Sequence, residues 1–149
     1  MGTKIRLTKT FHIEMAHALK DYDGKCRFIH GHTFGLEVTI RGAMLSQKDH
    51  PKKGMVMDFG DLKKIVNKYI VDIFDHAFVL NRESEFQIPL EAKEMFENIV
   101  YVDFQPTSER MSVYFAEVLQ AKLPVHIELI RLLLRETPTS YAEWFKDDN

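Results

Sequence analysis

The chain contains a single cysteine, Cys26, among its 149 residues. One thiol cannot close an internal disulfide, and it excludes a structural zinc site built from four cysteines of one chain. A reduced, reactive thiol is compatible with that usage. Long apolar runs are also missing. The longest, "IELIRLLL", falls far short of the roughly 20 residues that span a bilayer. The opening "MGTKIRLTKTF" has no apolar stretch of the signal-peptide kind, so a cytoplasmic location is expected. Neither sign of charge dominates: the net charge is −2, and no global field draws the protein to nucleic acid or to a membrane. An anionic substrate then needs a local basic pocket. There is no G-x-G-x-x-G fingerprint for a nicotinamide cofactor. Internal repeats, low-complexity tracts and linkers are absent too.

What is present suits one α+β domain spanning 1–149. Hydrophobic residues make up 45% and charged residues 28%, enough apolar content for a sizeable core. "IRLTKTFHIEMAH" alternates as a strand, with Ile5, Leu7, Phe11, Ile13, Met15 and His17 on one face. "TFGLEVTIRG" alternates in the same way. "SQKDHPKKG" reads as a loop. "DFGDLKKIVNKYIVDIFD" has helical spacing, with Leu62, Ile65, Val66, Tyr69, Ile70 and Ile73 in one stripe and Asp58 as N-cap. "DHAFVLNRESEFQIPLEAKEMFEN" has no clear period, and "IVYVDF" reads as a short strand. Pro106 and Thr107 open a second helix whose buried face carries Met111, Tyr114, Phe115, Val118 and Leu119. "HIELIRLLLRE" and "SYAEWF" are strands again. The expected architecture is a four-stranded antiparallel sheet with two helices on one face, in the order β-β-α-α-β-β. Such a sheet leaves two long edges, which oligomerisation would close.

The chemistry-bearing stretch is "CRFIHGH". His30 and His32 are two apart, which in an extended segment places both on one face. His17, at the end of the first strand and on its apolar face, is the best third ligand. Three histidines leave the fourth position of a tetrahedral zinc open for water or substrate. Taken alone, His17 also fits a satisfied core residue. His12, His50 and His126 have no partner or motif and read as surface or sheet-face residues. Three readings of Cys26 stay open: a fourth ligand, an inert buried thiol, or a nucleophile or base whose thiolate form Lys25 and Arg27 favour. "DHAFVLN" places Asp75 beside His76 at a helix-to-loop junction. They can converge there as a proton-transfer pair, or His76 can simply answer the helix dipole. Glu136 in "RETPTSY" can accept two parallel hydrogen bonds from the guanidine-like edge of a heterocycle, or it can be a solvated strand-end charge.

The ordered set "MAHAL", "CRFIHGH", "GMVMDFGDLK", "DHAFVLN", "PTSE" and "ETPTSYAEW" resembles the 6-pyruvoyltetrahydropterin synthase / 6-carboxytetrahydropterin synthase family and covers most of the chain. The resemblance implies the tunnelling fold, or T-fold, with three subunits closing a twelve-stranded barrel and two trimers stacking as a homohexamer whose active sites lie between subunits. It implies a Zn2+ ion on His17, His30 and His32, with Cys26, Asp75 and His76 as catalytic groups. Glu136 would anchor the pterin ring, helped by the backbone around Thr107 and Ser108. The implied activity is that of a zinc-dependent carbon–oxygen lyase. It would turn 7,8-dihydroneopterin triphosphate into 6-carboxy-5,6,7,8-tetrahydropterin with loss of triphosphate and acetaldehyde, toward 7-deazaguanine and queuosine. Lys25 and Arg27 are candidates for meeting the triphosphate. The compact C-x-x-x-H-G-H spacing looks like the carboxy branch. The alternatives are a 6-pyruvoyltetrahydropterin synthase of biopterin synthesis and a non-catalytic pterin- or purine-binding T-fold protein. The chain departs from the family pattern at Ile13 and Met15, at Arg110 after "PTSE", and at Trp144.

Overall fold

The computed structural model describes residues 2–84 and 87–149. Positions 85 and 86, inside the stretch without a clear period, lie outside the described residues. The strands β1 (Lys4–His17) and β2 (His30–Ala43) form one long antiparallel hairpin, with Lys4 facing Ala43 and His17 facing His30. Their alternation sorts the two faces. Phe11, Ile13 and Met15 of β1, with Phe34, Leu36, Val38 and Ile40 of β2, enter the core. Arg6, Thr10, His12 and Glu14 stay exposed on the other face.

After the hairpin come α1 (Phe59–Val66), a wide π turn (Asn67–Val71) and a short α2 (Asp72–Phe74). Strands β3 (Ala77–Asn81) and β4 (Ile99–Val102) follow, then α3 (Ser108–Lys122), β5 (Glu128–Thr137) and β6 (Ser140–Phe145). Asp58 caps the first helix as expected, accepting from the Gly60 amide at 2.7 Å, and at the expected start of the second helix Thr107 accepts from the Arg110 amide at 3.2 Å. No helix among the described residues is long and apolar enough to cross a membrane.

Among the described residues the sheet has six strands in the order β4-β3-β1-β2-β5-β6, which corrects the expected four. The antiparallel set β1, β2, β5 and β6 is present as expected, but β3 and β4 extend it with parallel pairings. The strand at "AFVLN" lacks a period-two signal for a physical reason. Ala77, Phe78, Val79 and Leu80 are all buried, because a parallel strand inside a sheet is covered on both faces. Phe78 and Leu80 pack with Ala18 in a small second cluster, while Ala77 and Val79 join the main core.

A second correction concerns the first helix. Its expected stripe ended on Ile73, which is 43% exposed; the buried residue is Phe74. The core side chains are Leu62, Val66, Ile70 and Phe74, four residues apart at each step. In a regular α-helix of 3.6 residues per turn that spacing drifts by about 40° per step. The π turn widens the coil locally and brings Phe74 back onto the buried line, where its ring lies 5.1 Å from that of Phe115. Ile70→Ala should therefore cost about 2–5 kcal/mol of unfolding free energy, whereas Ile73→Ala should cost about 0.5 kcal/mol or less. Urea unfolding at matched protein concentration measures both, and equal losses would contradict the shifted register.

Candidate active site

The hairpin register brings the three histidines together. His17 of β1 pairs with His30 of β2, and His32 pairs with Met15 two positions along, so all three rings project from the helix-covered face. The ring centroids lie 4.5 Å apart for His17 and His30, 5.0 Å for His30 and His32, and 5.4 Å for His17 and His32. Phe34 stands edge-on to His17 and His32 as an apolar floor. Glu136, on the same face of β5 as Leu132 and Leu134, completes the group. One ligand atom from each of the four residues falls within 4.8 Å of the others.

The donor chemistry fits a cation. His17 is bound through Nδ1 to the Pro106 carbonyl, and His30 through Nδ1 to the Phe28 carbonyl, each at 2.7 Å. A carbonyl only accepts, so both Nδ1 atoms carry the proton and both Nε2 lone pairs are free for a metal. The Nε2 atoms of His17, His30 and His32 are buried without a hydrogen-bond partner among the described residues. Three such orphans side by side would be costly unless a cation satisfies them. Glu136 Oε1 stands 3.1 Å from His32 Nε2 without hydrogen-bond geometry, as two groups aimed at a common centre do. Its Oε2 accepts from the Ser108 hydroxyl. Burial pushes the His17 imidazole below its ordinary pKa, against the Pro106 hydrogen bond, and so favours the neutral form that coordinates.

Cys26 lies outside this four-residue group. It is half-buried in a single 3-10 turn (Lys25–Arg27), with its carbonyl accepting from the Leu19 amide at 3.0 Å. The Phe28 bond to His30 ties the same loop to the cluster. Lys25 and Arg27 are exposed, and the Arg27 guanidinium lies 4.8 Å over the Phe28 ring.

Asp75 and His76 converge, although they are neighbours in the chain. His76 takes a left-handed backbone (φ 61°), which turns the chain sharply into β3. Its Nδ1 meets Asp75 Oδ2 at 2.9 Å. The peptide units of Glu14 hold the pair from both ends: the Glu14 amide donates to Asp75 Oδ1 at 2.8 Å, and its carbonyl accepts from the His76 amide at 2.5 Å. The Glu14 amide, then the His76 ring, keep the Asp75 carboxyl below its ordinary pKa. His76 shares an open cavity of about 390 Å³ with the Glu14 carboxylate and with Thr33, whose hydroxyl donates to that carboxylate at 2.8 Å.

Ser108 is buried at the start of α3 against Glu136, while Thr107 serves as the helix cap. Arg110 is exposed, with its guanidinium 5.3 Å over the Phe104 ring. Ile13, Met15 and Trp144 are core residues. Sequence reasoning missed the carbonyls of Pro106 and Phe28 and the Glu14 clamp. Main-chain partners leave no side-chain signal, so only the register reveals them.

The family model described as 6-pyruvoyl tetrahydropterin synthase matches residues 6–147. A 6-carboxy-5,6,7,8-tetrahydropterin synthase of Haemophilus influenzae is 40% identical over 141 residues, covering 93% of this chain and 97% of that protein. A protein of the same description from Rickettsia conorii is 30% identical, covering 93% and 99%. Among solved structures, an uncharacterized protein from Wolinella succinogenes superposes with a TM-score of 0.79 at 20% identity, covering 97% of this chain and 99% of that one. The 6-pyruvoyl tetrahydropterin synthase of Caenorhabditis elegans superposes at 0.66 with 23% identity, covering 97% and 96%.

Two outcomes are expected from this geometry. His30→Ala should reduce the metal content of purified protein to background, while Cys26→Ala keeps the wild-type stoichiometry by elemental analysis; metal loss in the cysteine variant would make Cys26 a ligand. The native pKa of Asp75 lies below its ordinary 3.8, so its contribution to stability is present above that value and is lost as pH falls below it. Asp75→Asn should flatten the acid limb of the stability–pH curve, and an unchanged slope would remove the Glu14 clamp from the account.

Proposed function

The chain belongs to the 6-pyruvoyl tetrahydropterin synthase family, and we propose that it converts 7,8-dihydroneopterin triphosphate to 6-carboxy-5,6,7,8-tetrahydropterin, releasing triphosphate and acetaldehyde. The observation that carries this reading is the three orphaned, buried Nε2 atoms of His17, His30 and His32 beside Glu136, in a chain 40% identical to a synthase of that description. The donor set, imidazoles with an open position, suits zinc. A zinc ion held there would supply Lewis acidity toward the side-chain hydroxyls of the pterin.

The remaining roles fall to this chain's own groups. Glu136, aligned by the Ser108 hydroxyl, accepts hydrogen bonds from the amino-pyrimidine edge of the ring and sets its orientation. Cys26, outside the ligand group but on the loop tied to His30, acts as the base that takes a proton from the side-chain carbon next to the ring. His76 carries protons as the partner acid–base. Asp75 orients its Nδ1–H and stabilises the imidazolium form. Triphosphate leaves, the side chain is cleaved with uptake of water, and the ring gains the electrons the side chain gives up. The step therefore takes no external reductant.

The reading extends to a homohexamer with sites between copies, acting in the cytoplasm on the route to 7-deazaguanine and queuosine. Glu14 and Thr33 alternate onto the sheet face opposite the three imidazoles, yet His32 lines the same open cavity as His76, so the two constellations of one copy meet there.

A second reading is the pyruvoyl product, favoured by the description of the family model and by the nematode structure. Mass spectrometry of zinc-loaded protein incubated with 7,8-dihydroneopterin triphosphate and no reductant separates the two. Carboxytetrahydropterin with acetaldehyde is expected, and Cys26→Ala should abolish both while leaving the metal bound. A pyruvoyl product would move the chain to the other branch, and unchanged substrate would leave a pterin-binding protein.

A further inference from the structure

On the open face of the sheet a glycine interrupts a row of side chains. His12 of β1, Gly35 of β2 and Arg135 of β5 are direct cross-strand neighbours, and Tyr141 of β6 is next in the same row. Gly35 has no side chain, so a notch opens between an imidazole and a guanidinium. Two adjoining cavities, of about 460 and about 230 Å³, both include His12, Gly35 and Arg135 in their walls. The larger continues to His32 and Glu136 of the metal group, along Thr137 and Pro138.

The charges in this notch are available. The Arg135 guanidinium rests 4.5 Å over the Tyr141 ring, which fixes its position without using its N–H groups. Among the described residues only one of its five donors has an acceptor, the Pro138 carbonyl at 3.5 Å, the outer limit of a hydrogen bond. Three carboxylates lie nearby, two of them in the cavity walls, and each has a partner: Glu14 accepts from the Thr33 hydroxyl at 2.8 Å. Glu37 is paired with Arg131 at 3.0 Å, and the Glu136 oxygens face His32 and Ser108. An unneutralised guanidinium with an imidazole across a gap, in a cavity that ends at the metal group, is built for a tetrahedral oxyanion.

We propose that His12 and Arg135, across the Gly35 notch, bind a phosphate group of the substrate's triphosphate chain, with Arg135 as the principal donor. This assignment rests on the substrate class proposed above. It places the anionic end of the substrate on the open sheet face and the ring at Glu136, so the chain of the substrate passes His32. It also meets the need for a local basic pocket in a protein whose net charge is −2.

The test uses inorganic tripolyphosphate as the probe, so it does not depend on turnover. Titration calorimetry would be run on metal-stripped protein, which keeps the polyphosphate from binding a metal ion. The same compound would then be tried as an inhibitor of the zinc-loaded enzyme. Wild type should bind tripolyphosphate, and Arg135→Gln should weaken binding at least about tenfold, as expected for loss of a charge-assisted hydrogen-bonding group. Gly35→Val fills the notch from a different strand. A Cβ at position 35 meets Arg135 Cβ at 3.5 Å, an ordinary contact, so the variant should fold and should also lose binding. Inhibition should be competitive with the pterin substrate. Absence of binding to wild type, wild-type affinity in either variant, or inhibition that is not competitive would each overturn the assignment. Product identity is read separately, so a pyruvoyl product would revise the reaction without touching this result.

Discussion

The pairing register of β1 with β2 is the constraint on which the site depends. His17 lies opposite His30, and His32 lies two residues farther along the same face. A slip of one residue would turn two of the three imidazoles, or the third, to the far side of the sheet. The register is held by burial in the part of the hairpin nearest the site: Phe11, Ile13 and Met15 on one strand, and Phe34, Leu36, Val38 and Ile40 on the other, have the same core to fill. The metal group is thus the polar end of a hydrophobic alternation. The helices matter through the same core. α3 lies against β5 and β6; the residue before its cap, Pro106, delivers its carbonyl to His17, and the first turn of α3 delivers the Ser108 hydroxyl to Glu136.

Electrostatics divides the molecule into two working faces. The helix-covered face ends in three imidazoles, of which His17 and His30 turn their protons to carbonyls and leave their lone pairs inward. The open face carries formal charges in pairs: Arg131 with Glu37 and Glu143, and Glu128 gathering Lys4, Arg41 and Lys146. Those three cations hold the Glu128 carboxyl far below the usual carboxylate range. Arg135 is stacked on Tyr141 and makes no ion pair among the described residues.

The Asp75–His76 pair shows how a strained residue can set a functional geometry. Adjacent residues on a regular element diverge, and here a left-handed His76 makes them converge. The cost of that backbone is offset by two hydrogen bonds to Glu14, one on each side of its peptide plane system. The same turn starts β3, so the acid–base pair and the parallel extension of the sheet arise from one local event.

The sequence by itself determined the periodic parts and the ligand types. Alternation in β1, β2, β5 and β6, the cap Asp58, the helix start at Pro106 and Thr107, and the H-x-H spacing were legible because each is a local pattern with a local physical cause. The tertiary structure decided what local patterns cannot encode. A strand buried on both faces has no period, so β3 was silent. A four-residue apolar spacing reads as an ordinary helical stripe until a π turn moves the buried line from Ile73 to Phe74. His17 became distinguishable from a satisfied core histidine only when its Nε2 was found orphaned beside two others. Glu136 could be a solvated charge or a site residue until β5 and α3 closed on it from two sides. Cross-strand register and main-chain carbonyls made those decisions, because both depend on which distant residues are brought into contact.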